Sequence, residues 1–78
     1  MTNYLGSVRQ LLAFLEASGM PVTAEGVSRE HVETFLIDLR DRTSAVTANT
    51  RRAYLFQFFA WLAEEGERQD NPVARIPP

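Results

Sequence analysis

Thr47-Ala48-Asn49-Thr50-Arg51-Arg52 combines three short polar side chains with two guanidiniums within six residues. Thr47 is a plausible cap for a helix starting near Ala48, so this group shares one and a half turns with the unpaired amides of a helix start. Such an end favours an anion by up to about 1 kcal/mol, and arginine supplies paired donors that match a phosphate. Arg40 and Arg42, in the segment just before, can join the same surface. This is chemistry for gripping a phosphodiester backbone, with each neutralised phosphate adding about −0.9 to the salt slope of binding. In the alternative reading Thr47 and Asn49 merely cap the helix, while Arg51 and Arg52 pair with carboxylates. A cationic cluster at the positive end of a helix dipole repels itself, which favours the anion-binding reading.

Other chemistry is sparse. With no cysteine, disulfides and thiolate catalysis are excluded, and with His31 as the one histidine a multi-ligand zinc site is not expected. Glu64, Glu65, Glu67 and Asp70 lack the glycine and ligand spacing of a calcium loop, and read as a solvated acidic turn. No serine has a histidine at a meaningful spacing, and no glycine-rich phosphate loop exists. No catalytic residue, metal or cofactor is expected.

Charge is polarised. The chain has eight Arg, no Lys and ten acids, a net −2, which argues against indiscriminate coating of nucleic acid. Residues 40–52 nevertheless carry four Arg against Asp41, whereas residues 64–70 carry four acids against Arg68. A focused positive patch can therefore coexist with a negative total. No apolar run reaches the length of a membrane span and no secretory signal is visible, so a soluble, cytoplasmic chain with no membrane partner is expected.

The elements that position these residues are helical. With 78 residues, 45% of them hydrophobic, there is material for one small core, and residues 1–78 read as a single domain. Tyr4, Val8, Leu11, Leu12 and Leu15 recur at helical spacing and predict a helix over about 3–18, capped by Thr2 or Asn3 and closed by Gly19 and Pro21. Ser28 caps a second helix, about 29–41, whose stripe is Val32, Phe35, Leu36 and Leu39. Asp41–Val46 reads as a loop. The third helix, about 48–65, is so rich in apolar residues that neighbours should wrap it at the centre of the domain; Gly66 ends it. Asn71-Pro72 starts a short fourth helix, 72–76, before the extended Pro77-Pro78. The expected fold class is all-α, a compact bundle of four helices with the fourth very short.

The run from Thr47 through Arg51-Arg52, Phe58-Phe59 and Trp61-Leu62 to Gly66, followed by Asn71-Pro72 and Arg75-Ile76, resembles the amino-terminal core-binding domain of tyrosine recombinases, the phage integrases. Tyr4-Leu5, Leu11 to Leu15 and the stripe through Phe35, Leu36 and Leu39 extend the likeness to about residues 3–78. The resemblance implies a SAM-like bundle that lies across one face of a DNA half-site while a separate catalytic domain grips the other. It implies double-stranded DNA, that catalytic domain and other recombinase protomers in a synaptic complex as partners. By position, Thr47, Asn49, Thr50, Arg51 and Arg52, with Arg40 and Arg42 nearby, would touch phosphates or enter the major groove.

The chain departs from the family in lacking its catalytic Arg, His, Arg and Tyr; His31 is followed three positions later by Thr34, so no His-x-x-Arg exists. The chain is therefore expected to be a non-catalytic DNA-binding domain of a site-specific recombinase, serving DNA integration or recombination, with the catalytic domain absent. The competing class is a helical protein–protein module that presents Phe14, Ile37 or Phe56 and ignores nucleic acid.

Overall fold

A computed structural model describes residues 4–23 and 25–76. Three helices form among them, α1 (Tyr4–Ala17), α2 (Arg29–Arg42) and α3 (Ala45–Glu64), and the described residues include no strand. The architecture is all-α, as expected, but with three helices and not four. The expected caps Thr2 and Asn3 and the exit Pro77-Pro78 lie outside the described residues.

Helix ends follow local chemistry. Gly19 (φ 73°) and Gly66 (φ 81°) adopt the left-handed conformation that ends α1 and α3. After α1, the Met20 and Gly19 amides donate back to Leu15 and Glu16; after α3, those of Glu67 and Gly66 donate to Leu62 and Ala63. Both are the paired bonds that satisfy a helix's last carbonyls. At the start of α2 the Ser28 amide donates to His31 Nδ1 at 2.9 Å, and the Ser28 hydroxyl lies 3.1 Å from the same nitrogen. His31 thus acts as the return half of a cap, with its ring proton on Nε2.

α3 begins one turn earlier than its sequence suggests. Ser44, not Thr47, is the cap: its Oγ accepts the Thr47 amide at 3.1 Å and its carbonyl accepts that of Ala48. Val46 and Thr47 are β-branched and weaken the local helical signal, but a cap at Ser44 leaves Thr47 at the third helical position with its amide satisfied. Only Thr43 and Ser44 connect α2 to α3, so Arg42, expected in the loop, joins Arg40 in the last turn of α2.

The expected fourth helix is a pair of turns over Pro72–Arg75. The Ala74 amide donates to Asn71 O and that of Ile76 to Val73 O, each spanning three residues, while Asn71 Oδ1 accepts the Val73 amide at 3.0 Å. The start signal at Asn71-Pro72 is real, but Pro77 disfavours helical geometry at Ile76, so no α-helical ladder can grow.

Leu11 and Leu15 of α1, Val32, Phe35, Leu36 and Leu39 of α2, and Leu55, Phe59 and Leu62 of α3 form the core with Val27, Val73 and Ile76. The α2 stripe matches its expectation residue for residue. α1 departs from its own: Leu12 is exposed, and Ser7 is buried in the stripe instead. α3 packs on both α1 and α2, yet it is not wrapped. Phe56 and Trp61 remain 41% and 46% exposed, because two helices and a short segment cover only one side of it.

The acidic turn after α3 contains a buried strut. Arg68 has a side chain only 8% exposed. It donates to Val27 O at 2.7 Å and to the Asp70 carboxylate at 3.0 Å, and its guanidinium lies 5.4 Å from the Phe59 ring centroid. It ties the α1–α2 connection to the segment after α3. Asn71 adds a second tie, donating through Nδ2 to Phe56 O in the middle of α3.

Two outcomes follow for stability. Arg68→Ala should lower unfolding free energy by about 2–3 kcal/mol, since it strands a buried carbonyl as well as losing charge-assisted bonds; the midpoint of urea denaturation measures this. Ser44→Ala should cost about 1 kcal/mol and Thr47→Ala only a few tenths, and the reverse order would restore the cap to Thr47.

Candidate functional site

The seven residues singled out by sequence distribute over the end of α2 and the first two turns of α3. Arg42 is engaged: its Nε lies 2.7 Å from Asp38 Oδ2, one turn back on α2. Arg40 reaches Asp41 at 3.7 Å, and both members of that pair are exposed. Exposed pairs of this kind contribute little to stability, so a phosphate can compete for either arginine.

On α3, Thr47 supplies its amide to Ser44 Oγ, and Thr50 Oγ1 donates to Val46 O at 3.0 Å. Arg51 and Arg52 form no ion pair or hydrogen bond among the described residues. The Nε of each is shielded from solvent and unpartnered. The carboxylate pairing that would have made them ordinary surface charges is therefore not formed.

The two arginines do not share one cradle. Neighbours on a helix point about 100° apart. Arg52 lines a cleft of about 310 Å³ between α2 and α3, together with Glu33, Ile37, Arg40, Asn49 and Ile76. Arg51 lies on the other flank of α3, in line with Phe58 two turns later, which faces Val8, Leu11 and Leu12 of α1. The structure thus brings Arg40, Asn49 and Arg52 together, places Arg51 apart, and leaves Arg42 on Asp38. Because α3 starts at Ala45, both α3 arginines sit in its second turn. The free amides of the helix start are a turn away, and the dipole's effect is largely spent within that first turn.

Between the two flanks, Val46, Asn49, Thr50, Ala53 and Gln57 recur at i, i+3, i+4, i+7 and i+11, all exposed and all uncharged. A solvated helix face ordinarily carries charge. From Val46 to Gln57 this one offers two amides and a hydroxyl among small or apolar side chains, and the first carboxylate on the same face is Glu64 at the helix end. The spacing of this face was readable in the sequence. The two unforeseen residues of the cleft differ in this respect: Glu33 stands two turns before Arg40 on α2 and could have been placed by period alone, whereas only the chain's return path brings Ile76 there.

Among the described residues no three metal-ligating side chains converge, and no helix is long and apolar enough to cross a membrane. No curated protein and no solved structure matches the chain. The family described as phage integrase, N-terminal SAM-like domain, matches residues 1–66, from the chain start to the glycine that closes α3. With three helices in this order and most of its length matched, the chain belongs to that family, as its N-terminal SAM-like domain and not its catalytic one.

Proposed function

We propose that this chain is a non-catalytic, double-stranded-DNA-binding domain of a site-specific recombinase, covering one face of a half-site while a separate catalytic domain holds the other. The observation that carries this reading is the outer surface of the first three turns of α3: a stripe uncharged from Val46 to Gln57 and flanked by two guanidiniums that have no carboxylate partner. A helix of this kind suits a major groove, where short side chains allow close approach and phosphates lie to either side. Arg52 and Arg40 on the α2 flank and Arg51 on the α1 flank serve as phosphate anchors. Asn49 stands on the stripe, where an amide can pair with an adenine edge, with Thr50 beside it and Thr47 at the border. Arg42 takes part by exchanging Asp38 for a phosphate. The cytoplasm, where DNA is available, is the compartment this reading requires.

A protein-docking role is the second reading. It is favoured by an apolar cleft of about 170 Å³ lined by Val8, Leu12, Val22, Phe58 and Leu62. Of the residues expected to serve it, Phe14 packs at 5.5 Å on Phe35 and is partly buried, whereas Ile37 and Phe56 stay exposed.

Arg51→Ala and Arg52→Ala should each weaken binding to a short duplex by about tenfold, and together by about a hundredfold, because separate phosphates make the losses additive. The double variant should flatten the salt slope by about 1.8 and leave the thermal midpoint nearly unchanged. Fluorescence anisotropy over a salt series measures all of this. Unaltered affinity in the double variant would overturn the DNA-binding reading and leave the docking one.

A further inference from the structure

We infer that Glu33 is an affinity-limiting residue of the α2–α3 cleft: its carboxylate opposes the phosphate that Arg40 and Arg52 attract there. This rests on the DNA-binding reading above and specifies how one of its two flanks is tuned.

The cleft holds three charged side chains, Arg40, Arg52 and Glu33. Glu33, Leu36, Ile37 and Arg40 recur at i, i+3, i+4 and i+7 along α2 and line it from that side; Ala45, Ala48, Asn49 and Arg52 line it from α3. Two residues join the helices, so on α2 Arg40 stands near the turn and Glu33 two helical turns farther from it. Glu33 is half-buried and makes no hydrogen bond or ion pair among the described residues, Arg40 and Arg52 included. A carboxylate that neither pairs with the guanidiniums nor holds a helix end has no structural duty that its charge performs. Inside a cleft with low-dielectric walls, that charge still acts on any anion entering.

In effect the α2 flank has an anchor and a counterweight in one cleft, whereas Arg51 lines neither that cleft nor the apolar one beside α1. A phosphate must accept a neighbouring negative charge to reach Arg52. The cost falls on every duplex alike, because a phosphate carries no sequence information. Glu33 thereby restrains sequence-independent binding and leaves discrimination to groups on the α3 stripe.

The test is Glu33→Gln in the full chain, which keeps the side chain's size and removes its charge. Affinity is measured for several unrelated 20-base-pair duplexes at low salt, alongside Arg52→Ala and the Glu33→Gln/Arg52→Ala double variant. Binding should tighten about three- to tenfold for every duplex, with the gain shrinking at higher salt and falling below about twofold when Arg52 is absent. If Arg52→Ala weakens binding but Glu33→Gln leaves it unchanged, or weakens it for some sequences, the limiting role is overturned while the DNA-binding reading stands. If a gain of the same size persists without Arg52, Glu33 acts on the whole surface and not on this cleft, and the inference also fails. If neither Arg51→Ala nor Arg52→Ala changes affinity, it is the DNA-binding reading that falls.

Discussion

Ala48, Leu55, Phe59 and Leu62 are the four residues of α3 that bury fully, and the roughly 100° step of the helix makes every other position answer to them. Their common direction points into the core shared with α1 and α2. Arg51 and Arg52 fall to either side of that direction, and Val46, Asn49, Thr50, Ala53 and Gln57 fall opposite it. The exposed stripe and its two cationic flanks are consequences of which face the helix must bury. A one-residue change in that register would put Asn49, a residue of the stripe, in the buried place of Ala48.

The electrostatics follow from the same geometry. Guanidiniums beside the buried seam keep their stems against apolar neighbours and lose solvent at Nε, while their ends remain the reachable donors. No carboxylate follows Arg51 or Arg52 within α3 until Glu64, three turns on, so no partner lies one turn ahead of them. α2 behaves differently: Asp38 stands one turn before Arg42 and takes it. Two helices with similar arginine content therefore differ in how much cationic surface they leave free, and the difference is one of spacing.

The segment after α3 returns along that helix and does not simply leave it. Arg68 fastens it to Val27, Asn71 fastens it to the Phe56 carbonyl, and Val73 and Ile76 supply the last buried apolar groups. Its return path carries Ile76 to the cleft that holds Arg52. A ten-residue stretch lacking a regular helix thus closes the core and forms one wall of the candidate site.

Local pattern was enough to define three helices, the α2 stripe and both glycine stops, because each rests on contacts within four residues. Residue order alone likewise marked the cationic start of α3. The choice of Ser44 over Thr47 as cap was not legible: both are capping residues, and which one acts depends on how far α2 extends before the chain turns. Nor was the burial of Arg68, whose partner Val27 is 41 residues away. The division of Arg51 and Arg52 between two flanks, and the presence of Glu33 and Ile76 beside only one of them, were settled in tertiary structure. Sequence determines the angle between neighbouring side chains, but only packing against other helices decides what stands at the end of each.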